Sequence, residues 1–353
     1  MKKILIMLTA VLLGIFSCDN STGPESKSLV LKFELTQVSG YGDADGSINL
    51  TVTGGSKPYQ YLWSNGKVTE DISYLKAGTY SVQVTDSDSR TKTDSVSITQ
   101  PANPLLGRTY STNVPSSYTG TSAVPLVIAL HNYGSSSSEF ELYTSFSLVS
   151  DTAGFIVVYP DATGDPSEWN AGIGLTPSTL NVDDAAFISE LIDVTTAGYN
   201  IDTNRVYIAG FSNASIMTHK LASELSSKVC AAAAVAGQAT SRILNSMNPE
   251  QPVAMIIFNM LDDLSLSYSG GVINGVSYPS AENVVSKWRS INNCQSQPEI
   301  IYQEYASIGY KWKSADSYAD VVFYKLAAGG HTWPESPLFA TEVIWRFFKN
   351  HAR

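Results

Sequence analysis

The apolar residues of this chain change their period once, near Pro104, and that change limits what each part can fold into. Before it they alternate. Leu29, Leu31, Phe33 and Leu35 form one set, then Ile48, Leu50 and Val52, then Tyr59, Tyr61 and Trp63. Tyr80, Val82 and Val84 follow, then Val96 and Ile98. A period of two places each set on one face of a strand, and the Gly, Asn, Asp and Ser clusters between sets make turns. Residues 29–100 are therefore expected to form a small antiparallel, Ig-like β-sandwich, and 101–104 a linker.

After Pro104 the apolar runs become continuous: Val124–Leu130, Gly154–Tyr159, Arg205–Gly210, Ala231–Ala236, Val253–Phe258 and Val321–Leu326. Strands buried on both faces need such runs, which points to a mostly parallel sheet. Helical spacing lies between them. Phe187, Ile188, Leu191 and Ile192 follow a possible cap, Asp183; Val284, Val285, Trp288 and Ile291 make another stripe. Phe339, Val343, Ile344, Phe347 and Phe348 make the last. Residues 105–353 are expected to be a doubly wound α/β domain.

Charge and motifs remove several function classes. The formal net charge is −10, which opposes binding to a phosphate backbone. No Gly-rich nucleotide fingerprint follows the first buried strand, so a nucleotide enzyme is not expected; the serine chemistry read below needs no metal or cofactor. Residues 19–105 hold no His and no Cys, so chemistry is expected in the second domain. In the first, Asp43, Asp45, Asp86 and Asp88 read as turn residues rather than calcium ligands, and Tyr59, Tyr61 and Trp63 as core rather than a glycan surface.

The strongest chemical signal is Gly210-Phe211-Ser212-Asn213-Ala214, where a buried strand runs into a helix. This is the setting of a nucleophile elbow, which holds a Ser hydroxyl at a helix N-terminus. A Ser needs a base, and the base a carboxylate to orient it. His331 lies in a Gly-flanked loop after the last strand, where the base belongs in such a fold. His219 sits seven residues into the helix after Ser212 and points away; His131 ends the first strand and shapes a loop; His351 lies at a frayed terminus. The carboxylate is expected after the preceding strand, as Asp263 or Asp262. The order Ser212, Asp263, His331 is that of the α/β-hydrolases.

Two resemblances add to this reading. Asp45-Gly46-Ser47-Ile48, Gly54-Gly55, Pro58-Tyr59, Trp63-Ser64, Ala77-Gly78-Thr79-Tyr80 and Val84-Thr85-Asp86 together resemble an SprB-type repeat, a module of bacterial surface proteins. In the second domain the series is Arg108-Thr109-Tyr110, Leu130-His131, Tyr159-Pro160-Asp161, Trp169-Asn170, Asp183-Asp184 and Ile201-Asp202, closing with the Ser212 elbow and Gly330-His331-Thr332-Trp333-Pro334. It resembles secreted polyhydroxybutyrate-depolymerase-like esterases, a group that includes feruloyl and acetylxylan esterases.

That resemblance implies an α/β-hydrolase with Ser212, Asp263 and His331 as triad, acting on carboxylic esters, with a polymeric substrate in view. Tyr268 and Gly270-Gly271 match its spacing and favour Asp263 over Asp262. The oxyanion hole should use the backbone N–H groups of Tyr133 and Asn213. Trp169, Tyr133 and Trp333 are candidates for holding substrate. Three positions depart from the pattern: Asn132 replaces a Gly, Ala214 another Gly, and Asn259 a His. They keep open a non-catalytic binding protein on the same scaffold; a serine peptidase of this fold is the other rival.

At the N-terminus, Met1-Lys2-Lys3, the apolar run Ile4–Phe16 and Ser17-Cys18 resemble a bacterial lipoprotein signal. Residues 1–17 are expected to be the leader, Cys18 the lipidated residue and 18–28 a tether. The protein is expected to be exported, either lipid-anchored to the outer membrane or cell surface or, if the leader is an ordinary secretory signal, secreted. The oxidising compartment would allow Cys230 and Cys294 to pair.

Overall fold

In the computed structural model, the structure describes residues 28–39, 43–100, 105, 107–172, 182–315 and 318–353. The expected leader, Cys18, nearly all of the tether and the 101–104 linker lie outside the described residues. The chain divides into two compact units, Met1–Ala102 and Asn103–Arg353.

The first unit is a sandwich of two three-stranded antiparallel sheets. One holds Val30–Thr36, Gly46–Thr53 and Ile72–Leu75; the other Gln60–Trp63, Gly78–Thr85 and Thr91–Ile98. Ile48, Leu50, Trp63, Val82 and Val84 fill the space between. Trp63 is 1 % exposed and donates its indole N–H to Thr69 O at 2.9 Å, so it is a core residue. Asp86 accepts from Ser56, Asp88 and Arg90 N–H groups and pairs with the Arg90 guanidinium at 2.8 Å. Its carboxylate closes a turn and is spent there.

The second unit is built on a nine-stranded sheet in the order Glu299–Glu304, Ser307–Trp312, Val321–Leu326, Ala254–Met260, Ala231–Val235, Ile201–Phe211, Val124–Leu130, Ile156–Pro160, Tyr110–Asn113. The six strands from Val321–Leu326 to Ile156–Pro160 are parallel, and the sheet's outer strands are antiparallel. All six continuous apolar runs lie in this parallel core. The edge hairpin Glu299–Trp312 was not anticipated, because its outer strand is largely exposed and mixed in polarity.

Apolar residues pack on both faces. Leu126, Ile128, Leu130, Ala232 and Ala234 serve one core; Val127, Ala129, Ala231, Ala233 and Val235 serve the other. The central strand Ala231–Val235 is almost all alanine, which lets helices approach closely there. The Asp184–Gly198 helix is capped by Asp183, whose carboxylate accepts the Ala186 N–H at 3.0 Å. The Ala281–Ile291 and Ala340–Phe348 helices bury their stripes as expected, except that Phe339 caps the latter and is 54 % exposed. His351 is not frayed. It is 4 % exposed, with its ring 4.1 Å from Phe347 and its carbonyl accepting the Tyr207 hydroxyl at 2.9 Å.

Candidate active site

Ser212 stands between the Ile201–Phe211 strand and the Asn213–Glu224 helix, at φ 61° and ψ −119°. A side-chain-bearing residue is rarely held at such angles, and here the surroundings enforce them. Its N–H donates to Val235 O at 2.9 Å, and its carbonyl accepts the Ser215 N–H at 2.9 Å. Strand and helix meet so closely that a Cβ on Gly210 would run into Ala214 O and Thr218 Oγ1. A Cβ on Gly237 would lie 2.6 Å from Ser212 O. Sequence reading did not mark Gly237; its only signal is the run of small residues in which it sits.

His331 Nε2 lies 2.7 Å from Ser212 Oγ, and Nδ1 lies 2.8 Å from Asp263 Oδ2. Nδ1 faces a carboxylate and so carries the proton, which leaves Nε2 as the acceptor. The ring stands against Phe211, 5.3 Å between centroids. Asp263 is 4 % exposed, and its other oxygen accepts the Ser265 and Leu266 N–H groups at 2.8 and 2.9 Å. Asp262 does something else: its two oxygens accept the Gly330 and Gly329 N–H groups at 2.8 and 3.2 Å, inside the loop that carries His331. The three residues singled out across 120 positions of sequence are thus brought into one line.

The oxyanion loop begins just past the point where Leu130 pairs with Gly210 in register, so it and the Ser212 elbow leave neighbouring parallel strands at the same end of the sheet. Among the described residues the Asn213 and Tyr133 N–H groups have no protein acceptor. The left-handed residue of this loop is Gly134, at φ 71°, so Asn132 is not asked to replace a glycine's backbone freedom. Ala214 is fully buried inside the helix and its methyl packs into the core.

Neither tryptophan is free to face a ligand. Trp169 is 0 % exposed and donates its indole N–H to His131 O at 2.8 Å. Trp333 is 3 % exposed, donates to Thr341 Oγ1 at 3.0 Å, and packs edge-on to Phe140, Phe146 and Phe211. Burial with a satisfied N–H makes both of them structural. Tyr133 remains exposed, and so does Tyr143, an unanticipated aromatic 5.8 Å from Phe211 whose hydroxyl accepts the Trp333 backbone N–H.

His219 is structural. It is fully buried, accepts the Trp288 indole N–H at 3.0 Å on Nδ1, and burial pulls its pKa down to about 4. Cys230 and Cys294 are both free thiols, and burial pushes that of Cys230 up to about 12.

The sequence of residues 109–256 matches the family model of esterase PHB depolymerases, and residues 33–68 match the SprB repeat. The first match includes Ser212 and stops short of Asp263 and His331. The chain is 28% identical over 194 residues to feruloyl esterase B of Piromyces equi, covering 52% of this chain and 35% of the relative. It is 26% identical over 175 residues to the bifunctional acetylxylan esterase/xylanase XynS20E of Neocallimastix patriciarum, covering 50% and 23%. It therefore spans well under half the length of these relatives. Among solved structures, an acetyl xylan esterase from Aspergillus awamori superposes with a TM-score of 0.55 at 16% identity, covering 71% of this chain and 96% of that one. The second unit has the α/β-hydrolase fold and matches the esterase PHB depolymerase family model over residues 109–256, and the first unit matches the SprB repeat model over residues 33–68.

Proposed function

We propose that this protein is a serine carboxylesterase with Ser212 as nucleophile, His331 as base and Asp263 as the carboxylate that orients it. The observation that carries the reading is the hydrogen-bonded line Ser212–His331–Asp263, at 2.7 and 2.8 Å. His331 Nε2 takes the hydroxyl proton as Ser212 Oγ attacks the ester carbonyl. The Tyr133 and Asn213 N–H groups hold the resulting oxyanion. The imidazolium, held by Asp263, returns the proton to the alkoxide leaving group and an acyl-enzyme remains. Water, deprotonated by the same ring, then releases the acid.

Relatives named for feruloyl and acetylxylan esters, and a family named for a polyester, define the substrate classes to try. The protein is proposed to act outside the cell, because an SprB repeat precedes the hydrolase and a lipoprotein-type leader is expected. No helix among the described residues is long and apolar enough to cross a membrane; the expected lipid on Cys18 is the proposed attachment.

A fluorophosphonate probe should label Ser212 in the wild type, not in Ser212→Ala, and weakly in His331→Ala. Turnover of feruloyl, acetyl and hydroxyalkanoate esters, compared side by side, names the class. A folded wild type that neither labels nor hydrolyses any of them would sink this reading in favour of a non-catalytic binding protein.

A further inference from the structure

Behind the site runs a buried chain of hydrogen bonds that ties the two expected oxyanion donors to each other. The Asn213 side-chain amide pairs with both backbone groups of Trp169: it accepts the N–H at 2.9 Å and donates to the carbonyl at 3.2 Å. The Trp169 indole N–H donates to His131 O at 2.8 Å. His131 Nδ1 meets Asn132 O at 2.7 Å, and Nε2 accepts the Ala162 N–H at 2.9 Å. Asn213, Trp169 and His131 are all at least 97 % buried. A carbonyl on one side and an N–H on the other assign the neutral Nδ1–H tautomer to His131. Burial holds its pKa below the ordinary imidazole value, which keeps it in that form.

The geometry points to His131 as a positioning residue for the oxyanion hole, an inference that rests on the serine-esterase reading above. The Asn132 carbonyl and the Tyr133 N–H belong to one planar trans peptide, so they point in opposite directions. A hydrogen bond that pins the carbonyl to the imidazole therefore fixes the direction of the Tyr133 N–H. Leu130 is in register with Gly210 on a parallel neighbour, so this peptide and the Ser212 elbow follow adjacent strands at the same end of the sheet. Asn213 supplies the other donor from its own backbone, while its side chain holds Trp169, which in turn holds His131. One rigid unit thus sets both donors. A second layer braces it: Asp184 accepts the Asn170 N–H at 2.6 Å and pairs with the buried Arg108 at 2.8 Å. These positions are the scattered residues on which the family resemblance was read, and the fold brings them into one network.

His131→Gln and His131→Asn separate the two ring nitrogens. Gln places an oxygen near Nε2 and keeps the Ala162 bond; Asn places an N–H near Nδ1 and keeps the Asn132 bond. In folded His131→Gln, kcat on a p-nitrophenyl ester should fall by roughly 10- to 100-fold, at most the roughly 10²–10³ that loss of a whole donor costs. KM should stay within about twofold, and affinity for a trifluoromethyl ketone, whose hemiketal mimics the oxyanion, should fall with kcat. His131→Asn should recover most of both. Trp169→Phe, which removes only the indole N–H, should act in the same direction, and the Trp169→Phe, His131→Gln pair should be less than additive. Unchanged kcat in His131→Gln, a rise in KM alone, or no recovery in His131→Asn overturns the proposal. If His131→Gln does not fold, Trp169→Phe decides by the same split. Wild type that turns over no ester and binds no ketone would instead overturn the esterase reading itself.

Discussion

Asp262 and Asp263 are neighbours in the chain and hold different parts of one loop. Asp263 Oδ2 bonds the His331 ring at 2.8 Å, while Asp262 accepts the Gly329 and Gly330 N–H groups that precede it. One aims the imidazole, and the other fixes the backbone that carries it.

Asp263→Asn should therefore cut kcat by about 10⁴, the loss expected when the group orienting a catalytic His is neutralised. Asp262→Asn leaves the ring its carboxylate and removes one of two loop anchors. Its cost should not exceed about 10², the scale of a small misplacement. Steady-state kinetics on one soluble ester ranks the two; the reverse ranking reassigns the acid.

Close approach at the elbow makes Gly210 and Gly237 intolerant of a methyl group. Gly210→Ala and Gly237→Ala should each destabilise the second unit by about 1–3 kcal/mol, since backbone atoms must move. Thermal unfolding should show Tm falling by roughly 2–4 °C per kcal/mol in a unit of this size. Ala214→Gly should raise no activity and cost about 1 kcal/mol, because the methyl is buried in a helix.

His219 makes the fold acid-sensitive. Its folded pKa, about 4, lies below the ordinary 6.5, so the unfolded chain binds more protons between those values. Stability from this residue is complete above pH 6.5 and declines as pH falls to about 4, by up to about 1.4 kcal/mol per pH unit. His219→Asn keeps an acceptor for Trp288 and cannot titrate. A Tm profile over that range should be flatter in the variant; equal slopes would assign the acid sensitivity elsewhere.

The two compact units predict separable roles. A protein beginning near Asn103 should fold and keep wild-type kcat on a small soluble ester. Loss of rate in a folded truncation would show that the sandwich shapes the site. Any loss confined to an insoluble polymer would assign the sandwich to substrate attachment.

Lipidation of Cys18 is checked by mass spectrometry of the membrane fraction. An acylated N-terminal peptide is the expected result, and an unmodified amine starting at another residue would contradict it.

Much of this molecule was legible in its residues because burial leaves a periodic trace. Strands covered on both faces must be apolar throughout, so the parallel core could be read from runs such as Val124–Leu130 and Val321–Leu326. Ser212, Asp263 and His331 were readable because each follows such a strand, where an α/β sheet presents its loops. The edge hairpin left no such trace, since an outer strand with one wet face does not need a continuous run.

What the sequence determined by itself is which residues meet in the Ser212–His331–Asp263 line and the order in which the sheet delivers them. The tertiary structure alone decided the partners of each polar side chain. Trp169 and Trp333 have the composition of ligand-holding aromatics, yet contacts from distant segments bury them and take up their N–H groups. His351 sits near the terminus, yet packing against Phe347 and the Tyr207 hydroxyl buries it. A hydrogen bond between residues 44 positions apart, such as Asn213 with Trp169, obeys no period. It exists only once two strands, a helix and a loop have met.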